Sequence, residues 1–212
     1  MSEALHGPTD PTPAASGEDD LQDMGIAQAL QFLSTAEMEF EGLLPWASNY
    51  TFLARLRAPD LTGLAVYKPQ AGETPLWDFP EGTLALREYA AFVVSEVLGW
   101  RLVPPTVLRD GIHGPGMVQL FVDADPEEHY FTHSLVDAHR IQQTVAFDVV
   151  VNNADRKAGH VLRDAQDRLW LVDHGICFHV DDMLRTVIWV FAGVPIPSDI
   201  FDDLSALAEL LQ

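Results

Sequence analysis

Cysteine is all but absent from this 212-residue chain, Cys177 being the only one. An internal disulfide is therefore excluded, as is a cysteine-rich zinc site. Lysine is nearly as scarce. Lys68 and Lys157 are the only two, and twelve basic residues in all face 32 acids, for a formal charge of −20. No cluster of Lys and Arg is present to neutralise nucleic-acid phosphates, so a nucleic-acid partner is not expected. Recruitment to an anionic membrane gains about 1 kcal/mol per nearby cation, and a chain this acidic is repelled instead. Long apolar runs are missing too. None approaches the roughly 18 residues that mark a membrane span, and the first residues lack the charged-then-apolar pattern of a signal peptide. What remains, 48% hydrophobic and 21% charged, is ordinary for a soluble globular protein, and a cytoplasmic location is the expectation.

Residues 1–24 read as a disordered tail: Pro8, Pro11 and Pro13 stand among six acids with no Lys or Arg. Such a segment buries too little apolar surface to offset its ordering entropy. Leaving out those six acids takes −20 to −14, so the folded part is strongly acidic by itself. From Ala27 the chain alternates short strand-like runs with two long helical ones. Strands are expected at Glu37–Leu43, Tyr50–Arg57 and Gly63–Tyr67, then a helix over Thr83–Leu98 capped by Thr83 and ended by Gly99. Two β runs follow, Leu102–Leu108 and Met117–Val122, with turn signals at Asp110-Gly111 and Gly114-Pro115-Gly116. A second helix opens at Ser134, where Ser-Leu-Val-Asp has the form of a capping box, and runs to about Val150. A hairpin over His160–Arg163 and Arg168–Val172 and a C-terminal helix over Asp203–Leu211 complete the pattern. Strands with one helix, then a mainly helical part, point to an α+β protein of two lobes, 25–123 and 124–212, with a cleft between them.

Two aspartates fall on neighbouring loops. Asp155 follows the second helix in Asn152-Asn153-Ala154-Asp155-Arg156-Lys157-Ala158-Gly159-His160. Asp173 follows the hairpin in Leu171-Val172-Asp173-His174-Gly175, where the glycine permits an unusual backbone angle. Phosphoryl transfer needs such a pair: one carboxylate orients or deprotonates the acceptor hydroxyl, and the other holds Mg²⁺ on the ATP phosphates. Upstream, Lys68 ends a strand and Glu88 lies on the following helix. A strand lysine held by a helix glutamate is how kinases place an ammonium against nucleotide phosphates. Arg156 is read as a structural partner of an acid. Cys177, Trp170 and Trp189 are read as core, and Trp77-Asp78-Phe79-Pro80 as a packed loop.

These anchors occur in kinase order, and their local wording resembles the phosphatidylinositol 3-/4-kinase superfamily, most of all type II phosphatidylinositol 4-kinases and compact kinase-like proteins of actinobacteria. Val66-Tyr67-Lys68-Pro69 resembles that family's V-F-K-P strand and Met117–Val122 its hinge strand. Asn153-Ala154-Asp155-Arg156 is similar to its N-T-D-R catalytic loop, and Val172-Asp173-His174-Gly175 to its I-D-N-G metal-binding element. The resemblance implies a compact, two-lobed protein-kinase-like fold that binds ATP and Mg²⁺ between its lobes. It implies that Lys68 contacts the α/β-phosphates, Glu88 holds Lys68, Asp155 is the catalytic base and Asp173 the principal metal ligand. Backbone groups of Gln119, Leu120 and Phe121 would meet the adenine. Lys157 matches the catalytic-loop lysine of protein kinases that approaches the γ-phosphate.

Two positions depart from the pattern. Kinases place an asparagine five residues after the catalytic aspartate as second metal ligand, and here that residue is His160. Imidazole suits Mn²⁺ better than Mg²⁺, so either the metal set is altered or turnover is weak. The loop between the first two strands, Leu44–Tyr50, contains no glycine; Ser48 and Asn49 are its candidate phosphate donors. The expected activity is transfer of the γ-phosphoryl of ATP to a hydroxyl of a soluble small molecule or protein. A non-catalytic nucleotide-binding regulator and an AMP-transferring enzyme are the alternatives, and no stable membrane association is expected.

Overall fold

A computed structural model describes residues 24–44, 50–132 and 137–212. Ser48, Asn49, Ser134 and the acidic tail up to residue 23 lie outside the described residues. The first element, helix α1 (Ile26–Thr35), precedes the first expected strand and was not among the expected elements. Ala29, Phe32 and Leu33 form one buried stripe at helical spacing, which decides the matter in favour of a helix. Strands β1 (Glu37–Leu43), β2 (Phe52–Ala58) and β3 (Leu61–Pro69) follow, then helix α2 (Leu84–Val97), β4 (Thr106–Gly111) and β5 (Gly114–Leu120). The five strands form one antiparallel sheet in the order β1-β2-β3-β5-β4.

Strand β3 shows why Lys68 is where it is. Gly63, Ala65, Tyr67 and Pro69 are buried on one face, and the alternate residues, Lys68 among them, point to the other. The β4–β5 hairpin departs from expectation. Pro104 and Pro105 donate no hydrogen bond, so β4 starts only at Thr106. The expected turn glycines lie inside the strands instead, with Gly111 opposite Gly114 around a two-residue turn at Ile112-His113. Gly116 is required because a Cβ there would lie 2.4 Å from the Lys68 carbonyl oxygen on the adjacent strand.

The second half contains α3 (Ala138–Val150), the hairpin β6 (Val161–Arg163) with β7 (Leu169–Leu171), and α4 (Ser198–Leu210). Asp137, not Ser134, caps α3, its carboxylate accepting the His139 N–H at 2.9 Å. Helix α4 begins five residues earlier than expected, at Ser198 after Pro197. The architecture is thus α+β, one five-stranded antiparallel sheet and a separate two-stranded hairpin with four α-helices among the described residues. Among the described residues no helix is long and apolar enough to cross a membrane.

Two apolar cores hold the molecule together. One lies between α1 and the sheet, built on Phe32, Leu33, Leu56, Tyr67 and Val118. The other joins Trp100 and Leu102 to Phe147 of α3, Val161 and Leu171 of the hairpin, and Ile200 of α4. Helix α2 contributes Ala91 and Phe92 to that second core although it follows the sheet's third strand. Gly99, at φ +69, ends this helix as expected. Cys177 is fully buried, and Trp170 is partly buried with its indole N–H on Asp164. Trp189 is not core: it is 63% exposed, because the core position next to it is taken by Ile188.

Candidate active site

Strand β3, helix α2 and the two loops of the second half converge on one cleft, lined among others by Lys68, Glu88, Asp155, Asp173 and Tyr50. Lys68 Nζ lies 2.5 Å from Glu88 Oε1 and 3.0 Å from Asp173 Oδ1. The two residues twenty positions apart in sequence therefore meet, and a third, 105 positions after Lys68, joins them. Glu88 is buried on α2 and its second oxygen accepts the His174 N–H at 2.8 Å. Burial pushes the Glu88 carboxyl up, against the pull of the Lys68 ammonium. With both oxygens accepting hydrogen bonds, the ionised form is the one this geometry accommodates. Burial also works against the charge on Lys68, but attraction to Glu88 and Asp173 outweighs it and raises the ammonium's pKa. The same ammonium holds the Asp173 carboxyl well below the usual carboxylate range, against burial.

The turn that presents Asp173 is left-handed at the aspartate itself, φ +63, and not at Gly175 as expected. A Cβ at Gly175 would meet Leu84 at 3.5 Å, an ordinary van der Waals contact. Asp173 is 43% exposed, with one oxygen on Lys68 and the other 3.3 Å from His160 Nε2. The Lys157 N–H approaches His160 Nδ1 at 3.5 Å, which leaves Nε2 as the protonated nitrogen facing the carboxylate. Burial lowers the imidazole pKa, opposed by Asp173. Asp155 opens into the same cleft, its N–H on Asn153 Oδ1 at 2.9 Å and its Oδ2 2.8 Å from Lys157 Nζ.

Among the described residues no three His, Cys, Asp or Glu side chains converge as a metal cage. Mg²⁺ is usually held by one or two carboxylates with substrate phosphates and water supplying the rest. Asp173, half open to the cleft, is a carboxylate of that kind.

The strand expected to meet an adenine is β5 with its continuation. The amide donors of Leu120 and Phe121 are already used, on Pro105 O at 2.9 Å and Leu64 O at 3.1 Å. Gln119 is buried with its amide on Thr106 Oγ1. A base at this edge would therefore find its N–H partner one or two residues later, at Val122 or Asp123, whose N–H groups make no hydrogen bond among the described residues.

No family model matches this chain. The protein Rv2133c of Mycobacterium tuberculosis is 40% identical to it, over 88% of this chain and 82% of that protein. The chain belongs to the Rv2133c family. Phosphatidylinositol 4-kinase gamma 4 of Oryza sativa is 33% identical over 115 residues, which span 45% of this Rv2133c-family chain and 20% of the rice protein. Among solved structures, the Helicobacter pylori proinflammatory kinase CtkA has a TM-score of 0.49 at 15% identity, over 70% of this chain and 62% of that one.

Beneath the cleft of this Rv2133c-family protein lies an arginine cluster. Arg156 is fully buried, and its Nε and Nη2 donate to Asp148 of α3 at 2.9–3.1 Å. Its Nη1 donates to the carbonyls of His160 and Val172, and Nη2 meets His174 Nε2 at 2.8 Å. One guanidinium thereby ties α3, the Asp155 loop and the Asp173 turn together. The expected structural role of Arg156 is met; its partner Asp148 was missed. The available signal was an acid alone in the apolar run Val145-Ala146-Phe147-Asp148-Val149-Val150. Glu73 was missed as well. Thr83 stands at the expected cap of α2, but its hydroxyl donates to Pro80 O, and the Leu84 and Ala85 N–H groups go to the Glu73 carboxylate at 3.1 and 2.8 Å.

Proposed function

We propose that this protein is an ATP-dependent phosphotransferase that moves the γ-phosphoryl of ATP to a hydroxyl acceptor. The observation that carries the reading is Lys68, bridging Glu88 and Asp173 in a cleft that Asp155 also lines. The likeness to part of a plant phosphatidylinositol 4-kinase supports it. In this reading Lys68 leaves Asp173 for the α/β-phosphates while Glu88 keeps it aimed. Asp173 holds Mg²⁺ or Mn²⁺, and the metal, when bound, offsets charge on the phosphate oxygens. His160 donates to the Asp173 carboxylate and fixes its direction. Asp155 accepts the proton of the acceptor hydroxyl as that oxygen attacks the γ-phosphorus; the bond to the β,γ-bridging oxygen breaks, ADP leaves, and the proton passes from Asp155 to water. Lys157, paired with Asp155 in the cleft, supplies a cation for the transferred group. Catalysis is by positioning and charge neutralisation.

The acceptor in this reading is a soluble hydroxyl compound, because a formal charge of −20 opposes docking on an anionic lipid surface. The test is to incubate the protein with ATP and either Mg²⁺ or Mn²⁺ and identify the products. ADP formation that disappears in Asp173→Asn and Lys68→Ala supports phosphoryl transfer. Pyrophosphate release would indicate AMP transfer instead, and tight ATP binding without either product would leave a nucleotide-binding regulator.

A further inference from the structure

Glu88 has a role in the cleft; its neighbour on α2, Arg87, has none in the reading above. Its Nη1 donates to the carbonyls of Cys177, at 2.5 Å, and Phe178, at 3.0 Å. Those carbonyls lie at the far end of the turn that begins with Asp173. The turn is unfavourable at both ends, with φ +63 at Asp173 and +58 at Phe178 on residues that carry side chains. Such a backbone persists only where its surroundings over-determine it.

Here it is gripped from two sides. On the catalytic-loop side, Ala154 N–H donates to Ile176 O at 2.9 Å and Phe178 N–H to Val151 O at 2.7 Å. On the α2 side, Glu88 accepts the His174 N–H and Arg87 donates to the two carbonyls. The packed loop before α2 extends the grip. The Phe79 ring lies 4.8 Å from the Arg87 guanidinium and 5.1 Å from the His179 ring. His179 Nδ1 accepts the Asp181 N–H, so its Nε2 carries the proton and donates to Asp78 O at 3.0 Å. Helix α2 is itself fixed, since Ala91 and Phe92 sit in the second core.

We propose that Arg87 is a positioning residue that clamps the Asp173–Phe178 turn to α2, so that the Asp173 carboxylate stands against Lys68 before any nucleotide arrives. The inference rests on the phosphotransfer reading of the cleft for its purpose, but the clamp itself is a property of the free protein. The site is assembled in the resting state, with no modification needed to bring helix and turn together.

The test pairs two readouts on the full chain. In hydrogen exchange without ligand, Arg87→Ala should speed exchange of the His174 and Phe178 amides about tenfold, the loss expected when hydrogen bonds to a charged donor are removed, while sheet amides stay as in the wild type. Arg87→Lys, which keeps a cation within reach of one carbonyl, should recover part of that protection. In binding of β,γ-imido-ATP, the gain in affinity on adding Mg²⁺ should fall about tenfold in Arg87→Ala, leave metal-free binding unchanged, and vanish as an effect in an Asp173→Asn background. Unchanged exchange at those amides overturns the clamp. So does a rise spread evenly over the whole fold that Arg87→Lys fails to localise. A wild-type protein that binds no nucleotide would sink the phosphotransfer reading while exchange still decides the clamp.

Discussion

Two ionic clusters meet at the base of the cleft and are finished to opposite degrees. Around Arg156 every guanidinium nitrogen is engaged, the side chain is 0% exposed and its partner Asp148 1%. Around Lys68 the lysine side chain is 20% exposed and that of Asp173 43%. Both pair a rare cation with carboxylates, yet only one has anything left to offer a ligand. A buried guanidinium with all its donors engaged fixes one structure, although His174 Nδ1 beside it is buried without a hydrogen bond. A cation and a carboxylate that face a cleft can exchange partners, which is what phosphate and metal binding require. The residue types follow the same division. The planar guanidinium makes several directed bonds at once, and the compact ammonium acts as a point charge that can turn from Asp173 to a phosphate.

Substitutions on the two sides should therefore fail differently. The largest effect belongs to the open cluster: Lys68→Ala or Asp173→Asn should lower ADP formation by about 10³-fold, as loss of one electrostatic contact to the transferring group does, with little change in the denaturation midpoint. Arg156→Ala should do the reverse in kind, costing about 3–5 kcal/mol in urea denaturation because it strands Asp148 in the core. If Lys68→Ala destabilised the fold as much as Arg156→Ala, the distinction between the clusters would break.

Asp164 gives an intermediate case. Burial would raise its pKa, but hydrogen bonds from Trp170 and Arg168 hold the carboxyl below its ordinary value. A carboxyl whose pKa is lower folded than unfolded stabilises the fold fully above its unfolded value near 3.9, and that contribution is lost as pH falls through the lower folded value. Asp164→Asn should cost about 1–3 kcal/mol at neutral pH and flatten the loss of stability below about pH 4, measured by denaturation across pH. The smallest effect on stability is expected at Lys157, whose side chain is 60% exposed beside Asp155. Lys157→Ala should change stability by less than about 1 kcal/mol.

How far the site could be read in the sequence follows from how local each signal is. Lys68, Glu88, Asp155 and Asp173 were legible because their element types and order are local patterns, and β3 declares itself by alternation. The pairings beneath them were not. Asp148 and Arg156 lie eight positions apart, and only packing makes them partners. Glu73 reaches α2 across a loop. The β4–β5 hairpin slid because glycines that read as turn signals are needed where a strand passes close to the Lys68 carbonyl. Helix α1 was hidden because a short apolar stripe fits either period. Trp189, a core residue by type, is exposed although its neighbour Ile188 is buried, a choice that packing makes and residue type does not reveal.

The central claim is that Lys68 and Asp173 form the phosphate and metal end of a nucleotide site. The most direct measurement is a structure of the protein with Mn²⁺ and β,γ-imido-ATP. The account predicts metal on Asp173, Lys68 against the α/β-phosphates, the γ-phosphate facing Asp155 and the base at the Val122–Asp123 edge. A nucleotide bound in reverse, with its α-phosphate towards Asp155, or a metal held away from Asp173, would contradict it.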